Sequence, residues 1–164
     1  MRSVHAEQGP SNHVTLGCFE VGGRIVAVHV AQVREVVRWQ TVTPLPRAPA
    51  LIEGVIDLRG AVVPVVDLGR ALAMASVEPS SRARIAVIEI DGLVVGLAVD
   101  AAVEVLQVDV AAMEDPPALA THAGYDAARA VVRRAEGGPI IVLSLESLLE
   151  SIYRSALPAE EDAA

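Results

Sequence analysis

Four histidines, a single cysteine and a scatter of carboxylates are the residues whose chemistry could serve catalysis or metal binding. The histidines stand at positions 5, 13, 29 and 122, a spacing that fits no metal-ligand pattern, and His29 falls inside a strand-like run. Cys18 has no partner for a disulfide and no surrounding His and Asn/Asp set, so it reads as a small buried hydrophobe. Asp67-Leu68-Gly69 has the acid and the glycine of an aspartic-protease loop. That chemistry also needs a hydroxyl residue between them and a second carboxylate to share the proton, and the equivalent position here is Ser144. The chain has no lysine, which removes Schiff-base and P-loop lysine chemistry, and it has no glycine-rich phosphate loop or serine nucleophile elbow. These residues imply neither an enzyme nor a metal or cofactor site. What remains is a pair of opposite charges among apolar strands, Glu35 and Arg59. They either pair beside a binding surface or form an exposed ion pair worth under about 1 kcal/mol.

Arg59 belongs to the most informative run of the chain, LIEGVIDLRGAVVPVVDLGRAL (Leu51 to Leu72). Two β-branched stretches flank Arg59-Gly60, which predicts a strand, a tight turn and a second strand. Pro64 cannot donate a ladder hydrogen bond, which places the second strand at an edge or a bulge there. Asp67 then caps a short helix carrying Leu68 and Leu72.

The wider chain supplies the frame. Its 164 residues, 52% of them apolar, suffice for one domain or two very small ones. The net charge of -8, with no basic patch interleaved with aromatics, argues against nucleic acid as a partner. Residues 1–13 are polar, with Glu7 and Gln8 where a signal peptide needs an apolar run, and read as a flexible N-terminal arm. The most apolar region, Ile85 to Leu106, is broken by Glu89, Asp91, Asp100 and Glu104, so no membrane insertion is expected and the reducing cytoplasm fits.

From Val14 the alternation predicts a hairpin turning at Gly22-Gly23, then a short helical turn running into a strand over Gln32 to Arg38. Three prolines in Thr41 to Pro49 impose an extended crossing connection. Ala73 to Ser81 is a loop and the best internal boundary. Arg84–Ile90 and Leu93–Val99 form a second hairpin about Asp91-Gly92. Val108 to Gly124 reads as a loop with one short helical turn. Strands resume at Ala130 to Val132 and Pro139 to Leu145, and Ser144 caps a closing helix with Leu145, Leu148, Leu149 and Ile152 on one face. The tail, 158–164, is acidic.

The halves repeat. A shift of 69 lays Gly23–Val37 on Gly92–Leu106, with Glu35 over Glu104, and a shift of 77 lays Gly60–Leu72 on Gly137–Leu149. About five short strands and one helical turn in each half favour two small closed barrels sharing a core.

The segments VREVV (33–37), TPLPRAP (43–49, with Thr43 at its head), GVIDLRGAVVPVVDL (54–68) and GLAVD (96–100) together resemble the CheW-like coupling proteins of bacterial chemosensory systems. The resemblance runs from about Thr15 to Ile152. It implies an all-β fold of two five-stranded SH3-like barrels sharing a core, within a single domain over 14–157. The first barrel would span about 14–75 and the second about 82–157. It further implies a non-catalytic, cytoplasmic adaptor joining the tip of a chemoreceptor to a CheA-type histidine kinase. Receptor contact then carries over onto Val33, Glu35, Val36, Gly54, Arg59, Ala102 and Val105, in a groove between the barrels. Contact with the kinase regulatory domain carries over onto Pro46, Val55 and Asp57. Departures from the family are Ala102, where a larger aliphatic residue is usual, and Arg133-Arg134 with Ser144 in the second half. The other readings are an accessory CheW-like adaptor that binds receptors without kinase, and more remotely a small ligand-binding β-barrel or hydrolase, which a side-chain-filled barrel interior would dismiss.

Overall fold

Strand patterning dominates the computed structural model, which describes residues 12–117 and 127–156. Most of the expected N-terminal arm, the acidic tail, the end of the 108–124 loop, His5 and His122 lie outside the described residues. In chain order the strands are β1 (His13–Val21), β2 (Arg24–His29), β3 (Val33–Arg38), β4 (Ile52–Leu58), β5 (Ala61–Asp67), β6 (Arg84–Ile90), β7 (Leu93–Val99), β8 (Ala101–Asp109), β9 (Met113–Glu114), β10 (Ala128–Val132) and β11 (Ile140–Leu143). Two α-helices, α1 (Leu68–Ala71) and α2 (Leu145–Ala156), follow β5 and β11 respectively. Both caps expected from the sequence are made. The Asp67 carboxylate accepts from the Arg70 N–H, and the Ser144 hydroxyl accepts from the Ser147 N–H at 3.2 Å.

The strands form two sheets, ordered β8-β1-β2-β11-β10-β9 and β3-β6-β7-β5-β4. The contiguous partition expected from the repeat, 14–75 against 82–157, is not how they assemble. The β1–β2 hairpin joins the sheet otherwise built from β8 to β11, and the β6–β7 hairpin joins the sheet built from β3 to β5. The repeat itself holds. Read from β8 or from β3, the two sheets present repeat-equivalent strands in one order, each with a single parallel pairing, β11 to β2 and β5 to β7. The exchange occurs where the chain crosses between sheets: at the 3-10 turn Val30–Gln32, and at Asp100, its counterpart under the shift of 69. A fixed cross-tie holds the second crossing, where Asp100 accepts from the Gly22 N–H at 2.8 Å and donates its own N–H to Glu20 at 2.9 Å.

Three apolar cores result, because strands buried on both faces send alternate side chains to different places. Val66, Ala86, Ile88, Leu97, Leu143 and Leu148 are among those filling the space between the sheets and under α2. Leu16, Cys18, Ala27, Ile140 and Val142 fill the interior of the first sheet. Ile56, Val63, Val65, Ile85, Val87 and Ala98 fill that of the second, closed over by Trp39, Val42 and Leu58. On β6, Ile85 and Val87 thus face one interior while Ala86 and Ile88 face the shared core.

Two expectations need correction. The first sheet has six strands, not five, because Met113–Glu114 pairs with β10 in the region read as loop. Pro64 lies on an interior strand and not at an edge. In the two-residue hairpin the bonded pairs with β4 fall at Ala61 and Val63, so the Pro64 nitrogen faces β7, with which register begins only at Val65. No register shift with β4 falls at Pro64, which pairs with Val55; the shift in this strand pair lies on β4 between Ile52 and Gly54, opposite Val66 and Val65.

Candidate partner-binding groove

The free edge strands β3 and β8 face each other across a groove of about 350 Å³, floored by β1 and the Val30–Gln32 turn. Its lining includes Val33 and Val36 from β3, Ala102, Val103, Glu104 and Val105 from β8, and Gly17 and Phe19 beneath. Register fixes the β8 side, with Phe19 opposite Ala102, Cys18 opposite Glu104 and Gly17 opposite Val105. Large apolar side chains are left in water here: Val105 is 69% exposed, Val103 44% and Val36 40%. Exposed apolar side chains gathered around one slot are a feature of interaction surfaces. Cys18 closes the floor, 1% exposed, and burial followed by the neighbouring Glu104 charge pushes its thiol above the usual range, so it stays protonated.

Beside the groove, Glu35 lies between Val33 and Val36 on β3 and accepts a hydrogen bond from the Arg59 guanidinium. Arg59 heads the turn between β4 and β5, with φ of 52° followed by 89° at Gly60, the two positive values that a tight two-residue hairpin turn requires. Asp57 braces the turn by accepting from the Gly60 N–H at 2.8 Å. The bonded guanidinium holds the Glu35 carboxyl below its usual range, and Glu35 in turn raises Arg59.

Of the residues expected in the groove, Val33, Val36, Ala102 and Val105 line it, while Glu35 and Arg59 border it as an ion pair. Gly54 does not belong with them. It is buried in β4 at φ 154°, and a Cβ there would lie 2.1 Å from the Thr43 carbonyl oxygen, so its role is to let the 43–44 backbone cross. That crossing is fixed by Thr43 N–H to Val55 O at 2.9 Å and Val55 N–H to Thr43 O at 2.8 Å. Of the other expected contact residues, Pro46 and Asp57 are exposed and Val55 is half-buried. Exposed Leu45 and Val62, not anticipated from the sequence, flank them, Val62 being the register partner of Asp57. Also missed were Gly17, Cys18, Phe19, Val30, Val103 and Glu104. The place of those on β1 and β8 depends on the pairing of the two strands, which links residues too distant in sequence for pattern to join.

Among the described residues no three His, Cys, Asp or Glu side chains cluster as metal ligands, and no helix is long and apolar enough to cross a membrane. Both barrel interiors are filled by apolar side chains, which dismisses the ligand-binding barrel and hydrolase readings.

The fold and groove define a binding module built from two exchanged β-repeats, with an apolar slot between its sheets. The model of the CheW-like domain matches residues 15–153. The chain is 38% identical over 151 residues to the chemotaxis protein CheW of Rhizobium meliloti, covering 89% of this chain and 97% of that one. It is 34% identical to a probable chemotaxis protein CheW of Rhizobium etli, over 84% of this chain and 88% of that one. Among solved structures it is similar to the scaffolding protein TtCheW from Thermoanaerobacter tengcongensis, with a TM-score of 0.74 and 29% identity over 82% of this chain and 86% of that one. The chain belongs to the CheW family, the non-catalytic scaffolding and coupling proteins of chemotaxis.

Proposed function

We propose that this chain works in the cytoplasm at receptor arrays, joining the helical tip of a chemoreceptor, held in the β3–β8 groove, to the regulatory domain of a CheA-type histidine kinase. The observation that carries the receptor half is the exposure of Val36, Val103 and Val105 around one slot with a fixed ion pair at its border. An amphipathic helix lays apolar anchors into such a groove, and directed charges at the rim set its register. The kinase is assigned to Pro46, Val55 and Asp57, supported by the exposed Leu45 and Val62 around them.

Separate titrations of the chain with a soluble receptor tip fragment and with the kinase regulatory domain test this. Val105→Glu is expected to abolish receptor binding alone, and Val62→Glu kinase binding alone. Loss of both partners in either variant, or of neither in both, contradicts the assignment of separate faces.

A further inference from the structure

The repeat relating the two halves keeps the acid of the Glu35–Arg59 pair but not its cation, and the acid left over, Glu104, falls inside the groove. Under the shift of 69 Glu35 lies over Glu104, and under the shift of 77 Arg59 lies over Glu136. Glu35 is therefore matched within the chain by Arg59, whereas the residue that would match Glu104 is itself acidic. Glu104 is exposed, lines the groove, and makes no hydrogen bond or ion pair with the described residues. A cation brought by the partner would restore the pairing that the second half lacks.

The floor beside Glu104 is built from small residues, and one of them is not required by the fold. Gly17 is not in the left-handed region, and a Cβ there would meet the Phe19 ring at 3.7 Å and Val30 at 3.8 Å, which is ordinary contact. Neither backbone nor packing calls for glycine at this point. With Ala102 across the register from Phe19, the missing side chain of Gly17 leaves a socket in the slot, and Glu104, paired with Cys18 beyond a β-bulge, borders the same slot.

We propose that the groove selects a helix that places one large apolar side chain, Leu, Met or Phe, in the socket over Gly17 and Ala102 and an Arg or Lys on Glu104 one helical turn away. Ala102 and Glu104 stand on either side of the β-bulge opposite Cys18 and Phe19 and both line the one slot, so a long basic side chain one helical turn, about 5.4 Å, from the apolar anchor can reach the carboxylate. The inference rests on the groove being the receptor site. It assigns Gly17, Ala102 and Glu104 as the residues that set which helix is accepted.

The test titrates the full chain with the soluble cytoplasmic hairpin of a chemoreceptor, and with versions of that hairpin in which exposed tip residues are changed singly to Ala. Ala102→Leu fills the socket from the exposed side and is expected to lower affinity at least about tenfold with an unchanged melting temperature, in line with the cost of overfilling a fitted site. Gly17→Ala is a milder filling whose Cβ fits the fold, and it should lower affinity by less. Glu104→Gln should lower affinity about fivefold at low salt, the effect fading as salt rises. One basic tip residue of the hairpin should lose its contribution in that background. Wild-type affinity in Ala102→Leu and Gly17→Ala overturns the socket, and wild-type affinity in Glu104→Gln overturns the cation. Val36→Glu separates these failures from failure of the site itself. If it also binds normally, the groove is not the receptor site.

Discussion

Glu35 and Arg59 join the two opposite edges of one sheet. Glu35 is on β3, the first strand in the order β3-β6-β7-β5-β4, and Arg59 is in the turn leading out of β4, the last. Their ion pair therefore spans the seam where the sheet curls back on itself over Ile56, Val63 and Ile85. The same contact presents a fixed charge pair at the border of the groove. Arg59 is 70% exposed in its side chain, so the pair adds little to stability, and its value lies in geometry.

The pair titrates in one direction. Hydrogen bonding from Arg59 holds Glu35 below its usual 4.5 in the folded chain. A carboxyl lowered on folding contributes stability above its unfolded value and loses it as pH falls through the folded one. The melting-temperature difference between wild type and Glu35→Gln should therefore be constant from neutral pH down to the ordinary carboxylate range and vanish only at more acid pH. A difference that grows on acidification contradicts this sign.

Groove residues should separate by burial. Val36→Glu and Val105→Glu alter exposed side chains and are expected to leave urea unfolding within about 0.5 kcal/mol of wild type. Val33 both lines the groove and packs against the shared core, so Val33→Glu should cost stability as well as binding, on the order of 1–3 kcal/mol for a carboxylate forced against apolar neighbours. Equal stability of all three variants would place Val33 outside the core.

Asp67 is buried, 5% exposed, and accepts from the N–H groups of Arg70 at 3.1 Å and Val77 at 3.0 Å. It ties α1 and the loop after it to β5. Asp67→Ala leaves these donors without a partner and should cost about 2–3 kcal/mol in urea unfolding. Asp67→Asn keeps an acceptor oxygen and should cost less. Wild-type stability in Asp67→Ala would mean that the loop finds other acceptors.

Gly54→Ala should destabilise the fold before it affects any partner, since its Cβ collides with the Thr43 carbonyl. Hydrogen exchange at Val55 and Thr43 should accelerate most. Loss of receptor binding with unchanged exchange would return Gly54 to the groove.

Much of this was legible in the sequence because local chemistry dictated it. Arg59-Gly60 and Asp91-Gly92 announce tight turns, and Asp67 and Ser144 announce caps, each through the few residues involved. The repeat also exposed the internal plan, and the Glu35–Arg59 contact was open as a pairing of opposite charges. What escaped was partner choice between distant strands. Alternation in β6 and in β1 reads the same whether a hairpin packs with its own half or the other, so the exchange left no local mark. Gly54 was misplaced for a related reason. A glycine that admits a crossing backbone and one that borders a groove are the same residue until the Thr43 carbonyl is located.

The proposal that this chain joins receptor to kinase, with the Arg59 guanidinium at the groove border setting the register of the receptor helix, is tested most directly by kinase activation in reconstituted receptor arrays. The variants are Arg59→Ala and Arg59→Lys, each with its melting temperature measured. Both should fold as wild type, because the three apolar cores supply the stability, and both should fail to support activation, because lysine keeps the charge but not the planar set of donors. Full activation by a well-folded Arg59→Ala chain would contradict the account.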